Sequence, residues 1–172
     1  MANGIILCGL NGCGKTTLGK LVAERLGWQA MDVEPYWFPS PDTYRESRTR
    51  EEVQQLLLAD MERSKGFVFS SVNCSWGEAI EAHFCLAVYL AAPKALRLER
   101  IRQRELRRFG DRVLEGGDLY ASQQRFRAFA AGRSEEPILS ALQNLSCPVL
   151  KLDAALPVDQ LADAILQVFH NL

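Results

Sequence analysis

Residues Gly9–Thr17 read GLNGCGKTT, with the apolar run IILC just before them and the helical pattern LGKLVAERLG just after. Three glycines in six positions cost the chain conformational freedom, so the loop must return something for them. Glycines there allow a tight turn whose backbone N–H groups converge, and such a nest binds an anion. The helix that follows aims its positive end at the same place. Lys15 adds a full charge, and the Thr16 hydroxyl is a metal donor. Gly9, Gly14, Lys15 and Thr16 fit the spacing G-x-x-x-x-G-K-[ST], the phosphate-binding P-loop. Average residue usage gives a chance match in a chain this long odds of roughly half a percent, and the strand–loop–helix context lowers them further.

The remaining composition narrows the class. The chain has 172 residues, 48% hydrophobic and 24% charged, with a formal net charge of −1. That suits one domain spanning 1–172, and gives no global attraction to nucleic acid or to a membrane surface. No apolar run approaches the ~18 residues of a membrane span. The N-terminus, MANGIILCGL, lacks the basic region of a secretory signal, so a cytoplasmic protein is expected. Cys8, Cys13, Cys74, Cys85 and Cys147 form no C-x-x-C pair. Reduced thiols are expected, and zinc is not.

Apolar runs and helical patterns alternate along the chain. GIILC, WQAMDVE, FVFSSV, CLAVYLAA and PVLKLD read as five short strands. Helices are expected over 15–26, from a capping box at Thr49–Glu52 to about Ser64, around 77–82, from Pro93 to Arg108, from a cap at Asp118 to Ala131, over 135–145, and over 157–170. Residues 35–48 and 109–117 read as loops. The sum is an α/β P-loop NTPase fold: a five-stranded parallel sheet with helices on both faces and a small helical lid over 105–133. Ligands of such sheets bind at the carboxyl ends of the strands. The P-loop, Asp32, Ser71–Asn73 and Asp153 all fall there.

A P-loop alone does not say what becomes of the γ-phosphate. Neither the D-x-x-G nor the N-K-x-D string of a GTPase occurs, and the third strand ends Ser70-Ser71-Val72 without the acid of a motor ATPase. A kinase must instead neutralise a phosphoryl group in flight and exclude water. Seven arginines lie between Arg97 and Arg112, opposed only by Glu99, Glu105 and Asp111. Arg97, Arg100, Arg104 and Arg108 recur at helical spacing and share a face.

These features together resemble the nucleotide and small-molecule kinases of the P-loop superfamily, the adenylate, shikimate and gluconate kinases and the topology modulation group. The residues that carry the likeness are GLNGCGKTT, MDVEPYWFP after the second strand, and YLAAPKALRLERIRQR at and after the fourth. In the adenylate kinase pattern a proline and a helix follow the fourth strand, and two arginines four apart reach the transferring phosphates; Arg100 and Arg104 match them. In the shikimate kinase pattern two acids one residue apart end the second strand, the first serving Mg²⁺ through water; Asp32 and Glu34 match these. The adenylate kinase signature D-G-[FY]-P-R is absent, replaced by SSVNCSW.

The resemblance implies a kinase that uses ATP and Mg²⁺, with a small-molecule acceptor and a monomeric or homodimeric state. Gly9, Leu10, Asn11, Gly12, Cys13, Gly14, Lys15, Thr16 and Thr17 hold the triphosphate, and a loop at Asp153 faces the base. Lys15 bridges the β- and γ-oxygens. Thr16 and Asp32 serve the metal, and Arg100 and Arg104 neutralise the transferred group once the lid closes. Asp32, Glu34, Arg48 and Asn73 face the acceptor, in and around a segment at 34–63 that also carries Arg45 and Arg50. Trp37, Phe38 and Trp76 read as packing. Arg97 and Arg108 are expected to be spectators. Two alternatives stay open: a regulatory ATPase with slow hydrolysis and no dedicated acceptor, and a nucleic-acid-associated ATPase, which the near-zero charge disfavours.

Overall fold

A computed structural model describes residues 3–40 and 46–172, so Pro41 and Arg45 lie outside the described residues. In chain order the elements are β1 (Gly4–Cys8), α1 (Lys15–Leu26), β2 (Gln29–Asp32), α2 (Glu34–Trp37), α3 (Arg50–Arg63), β3 (Phe67–Ser71), α4 (Glu78–Glu81), β4 (Phe84–Ala91), α5 (Lys94–Phe109), a 3₁₀ turn (Gly110–Val113), α6 (Tyr120–Gly132), α7 (Glu136–Gln143), β5 (Val149–Asp153) and α8 (Val158–Phe169).

All strand pairings are parallel, in the order β2-β3-β1-β4-β5. The continuous apolar strands take the middle places: every residue of β1 and β3 is buried. The more polar β2 and β5 take the edges. Because successive side chains alternate between faces, β1 feeds two cores. Ile6 and Cys8 join Phe69, Ala87 and Tyr89 under α3, α4 and α7, contributed by Val53, Leu57, Ile80, Ile138 and Leu142. Ile5 and Leu7 join Val68, Leu86 and Val88 under α1 and α8, contributed by Leu18, Val22, Leu161 and Ile165. Helices therefore cover both faces, as the alternation of elements implies.

Two local expectations change. The stretch after β2 is not wholly irregular: Pro35 lies in the first turn of α2, where its fixed φ and missing N–H cost nothing. Asp118 does not cap α6, whose N-cap is Leu119. Its carboxylate instead pairs with Arg112, at 2.9 Å from Nε and 2.7 Å from Nη2, and closes the loop between the 3₁₀ turn and α6. Gly117 in that loop supplies room rather than freedom, since a Cβ there would lie 2.2 Å from the Arg112 carbonyl oxygen. All five cysteines are free thiols. Among the described residues no helix is long and apolar enough to cross a membrane.

The capping box at the start of α3 is present in full: Glu52 N donates to Thr49 Oγ1, and Thr49 N donates to Glu52 Oε2 at 2.8 Å. Thr49→Ala leaves an orphan donor and should lower stability by about 1 kcal/mol. That corresponds to roughly 2–4 °C in Tm for a chain of this size, read by thermal denaturation; an unchanged Tm would show that the helix is held by its buried face alone.

Candidate active site

The P-loop runs from the end of β1 to the start of α1, at the carboxyl edge of the sheet. Gly14 is the N-cap of α1 with a positive φ of 98°, and no side chain caps that helix. The N–H groups of its first turn have no intrahelical acceptor, so they face the loop's concavity as donors. Gly12 has φ 86°, and a Cβ there would lie 2.4 Å from the Arg97 carbonyl oxygen of α5. Only glycine allows the loop to press this closely on the neighbouring helix.

Lys15 folds back over the loop. Its Nζ donates to the Gly9 carbonyl at 2.7 Å and the Leu10 carbonyl at 3.1 Å, and lies 3.6 Å from Cys13 Sγ. These neutral partners leave its positive charge uncompensated. Thr16 Oγ1 donates to Asp32 Oδ2 at 2.5 Å, while Asp32 Oδ1 accepts from Glu34 N at 3.0 Å. The parallel register of β2 with β3, and of β3 with β1, delivers Asp32 to the mouth of the loop. A hydroxyl and a carboxylate in contact form a hard-oxygen pair that fits Mg²⁺, which takes few protein ligands and completes its shell with water and phosphate oxygens.

The arginines sort differently from their spacing. Arg100 is already on the loop: Nη1 donates to the Cys13 carbonyl at 3.3 Å and Nη2 to the Ala154 carbonyl at 2.9 Å. No closure is required to bring it there. Arg104, one turn on, is exposed and makes no hydrogen bond or ion pair among the described residues. Arg97 is no spectator. It is 4% exposed, and its Nη1 donates to the Asn11 carbonyl at 3.1 Å. Arg133, at the end of α6, escaped the sequence reading entirely. It donates to Asn11 Oδ1 at 3.2 Å and stacks on the exposed Phe129 ring. Burial lowers the Arg133 pKa, because no carboxylate offsets the loss of water. Its place after a glycine, beyond the arginine-rich helix, gave no periodic signal.

The remaining residues are placed as follows. Arg48 Nη1 donates to the Pro35 and Tyr36 carbonyls at 3.1 and 2.9 Å, which ties it to α2 rather than to open space. Arg50 Nη2 donates to the Ser75 carbonyl, and its guanidinium lies 5.4 Å from the Trp76 ring centroid. Asn73 Oδ1 accepts from Ser75 N at 3.2 Å, and its carbonyl accepts from Trp76 Nε1, so both are engaged in the turn after β3. Trp76 is buried and packs on Phe69 and Trp37. Asp153 Oδ1 accepts from Ala155 N, shaping the loop after β5 beside Arg100. Tyr89, near the end of β4, has a buried hydroxyl beside Glu135 that makes no well-formed hydrogen bond among the described residues. Burial first, and then the charge of Glu135, raise its pKa.

A family model described as AAA domain matches residues 5–113, from β1 through α5 and its 3₁₀ turn. The chain belongs to that family. The uncharacterized protein YqaC of Bacillus subtilis is 33% identical over 179 residues, covering 99% of each chain. A shikimate kinase of Thermosynechococcus vestitus is 29% identical over 148 residues, covering 73% of this chain and 76% of its own. Among solved structures, shikimate kinase from Bacteroides thetaiotaomicron superposes with a TM-score of 0.61 at 17% identity, covering 98% of both chains. The P-loop NTPase fold of the small-molecule kinase superfamily is thereby established for this AAA-domain chain.

Gly12→Ala should displace the loop from α5, since the new Cβ meets backbone that cannot swing aside. Affinity for a nucleoside triphosphate should fall by about tenfold or more, the scale of about 1–2 kcal/mol of backbone strain. Wild-type affinity by titration calorimetry would refute the close fit.

Proposed function

We propose that this protein is an ATP-dependent phosphotransferase that moves the γ-phosphate of ATP, with Mg²⁺, to a small-molecule acceptor. The observation that carries the reading is the contact between Thr16 of the P-loop and Asp32 at the end of β2. It joins a metal-binding hydroxyl to an acid beside the γ-phosphate position, where a kinase needs both. Mg²⁺, when bound by this pair, shields the β- and γ-oxygens and spreads their charge.

The chain's own residues account for the rest. The loop N–H groups and the start of α1 bind the triphosphate. Lys15 exchanges its two carbonyl partners for phosphate oxygens, a charge-assisted pairing that is stronger than the one it leaves. Arg100, fixed between the P-loop and the loop after β5, holds positive charge over the nucleotide. Arg104 is free to swing in from α5, and residues 105–133 form the lid that brings it and excludes water. Asp32 has its second oxygen fixed by Glu34 N, so it is oriented to accept from the metal's water or from the acceptor hydroxyl. Glu34, the first residue of α2, adds a carboxylate where the acceptor enters. Arg48 shapes this wall through α2, and Asn73 through the turn after β3. Asp153 shapes the base-facing loop. The third strand's missing acid and the named kinase relatives favour this reading over a motor ATPase.

A coupled ADP-release assay over nucleosides, nucleotides, sugar acids and cyclohexene or cyclohexane acids carrying hydroxyls tests the reading. One acceptor should raise ADP release well above the basal rate, and Lys15→Ala should remove that stimulation while leaving the fold intact. Hydrolysis that no acceptor stimulates would point to the regulatory ATPase instead.

Asp32→Asn keeps the shape and removes the charge. Activity should fall, by roughly 10²-fold or more for an electrostatic group acting on the reaction centre, and the Mg²⁺ concentration giving half-maximal rate should rise. An unchanged Mg²⁺ titration at normal activity would return Asp32 to a structural role.

A further inference from the structure

Arg97 carries a full charge in a place where a charge is costly. It is 4% exposed, its Nε has no partner, and it makes no ion pair among the described residues. Its Nη1 donates only to main-chain oxygens: Asn11 of the P-loop at 3.1 Å and Ala130 of α6 at 3.5 Å. A buried guanidinium held by neutral carbonyls recovers only part of its lost hydration. The acid nearest in register on the same helix, Glu105, is buried too, and is taken by Arg127 of α6.

The partner of Arg97 makes its position informative. In a trans peptide the carbonyl and the following N–H point in opposite directions, and none of the described peptides is cis. The guanidinium on the Asn11 carbonyl therefore fixes the N–H of Gly12 facing away from α5. Arg100 on the Cys13 carbonyl does the same for the N–H of Gly14. Two cations behind the loop thus polarise two peptides whose donors face the concavity. The side chain of Asn11 is held at its other end by Arg133. Asn11 is bound to both arms of the helical hairpin, through Arg97 of α5 and Arg133 of α6.

We infer that Arg97 is a positioning residue for anion binding: it orients the Asn11–Gly12 peptide toward the triphosphate, and the bound anion supplies the countercharge the fold withholds from it. The inference rests on the P-loop reading above. It makes Arg97 a contributor to phosphate affinity that never touches phosphate.

The test is titration calorimetry of inorganic tripolyphosphate, and separately of Mg²⁺–ATP, on the full chain. The variants are Arg97→Met, Arg97→Lys and Glu105→Gln, each checked as folded by circular dichroism with a Tm above the assay temperature. Arg97→Met should weaken tripolyphosphate binding by about tenfold, the scale of one lost charge-assisted contact. Arg97→Lys should weaken it by roughly threefold, because charge is kept but the planar fork is lost. Glu105→Gln loosens the α5–α6 pairing without touching the loop and should stay within about twofold of wild type. The anion should also raise the Tm of wild type by more than that of Arg97→Met, as expected when ligand affinity is linked to stability. Wild-type affinity in Arg97→Met overturns the inference, as does an equal loss in Glu105→Gln, which would mean that only hairpin packing matters. Should Arg97→Met fail to fold, wild-type affinity in Arg97→Lys overturns it. A wild-type protein that binds neither anion refutes the P-loop reading itself, a failure distinct from failure of the inference.

Discussion

The P-loop of this protein has no space behind it. A side chain at Gly12 would collide with the backbone of α5 at Arg97, so loop and helix are built against each other. From that contact the site's cations follow. Once α5 is pressed on the loop at Arg97, the helical repeat sets Arg100 over Cys13 one turn later and leaves Arg104 clear of the loop beyond it. The sheet does the corresponding work on the other side. Burial of β1 and β3 at the centre fixes the register that carries Asp32 to Thr16. The candidate site is the place where a packed helix and a packed sheet both end.

This arrangement divides the positive groups by how firmly they are held. Arg97 is immobile, sunk between the loop and α6. Arg100 is bridged between two main-chain carbonyls and moves only by breaking them. Lys15 is held by carbonyls it can exchange. Arg104 is free. A site that binds a polyanion and then acts on its terminal group needs both kinds: fixed charges that cost no reorganisation when the ligand arrives, and movable ones that respond to charge developing in the transition state.

Much of this was legible in the sequence, for physical reasons that differ by element. The central strands were readable because a parallel sheet buries both faces: GIILC is an unbroken apolar run, and FVFSSV is apolar but for two small serines, both buried. The P-loop was readable because its glycines, lysine and threonine are each demanded by local geometry. The capping box before α3 was readable for the same reason. The role of Arg97 was not, because helical spacing gives a shared stripe without saying which member faces the core. An arginine on such a stripe reads as solvated, and only the tertiary contact with Asn11 shows otherwise. Arg133 was missed because its partner lies 122 residues away, at the far end of the chain's path around the sheet. Asp118 was misread because its sequence context suited a cap, while the competing partner, Arg112, lies in the preceding turn.

The surroundings of α2 follow a different physical logic from those of the P-loop. Around the P-loop, polar groups are held in place with their charges unmatched, as an anion site requires. Around α2 and the turn after β3, the polar groups are mostly spent: Arg48 on the Pro35 and Tyr36 carbonyls, Asn73 on its own turn, Arg50 on Ser75. Arginines engaged with backbone in this way can meet another anion only if those bonds exchange. At the mouth of the loop the Asp32 carboxylate is held as well, one oxygen by the Thr16 hydroxyl and the other by the Glu34 N–H.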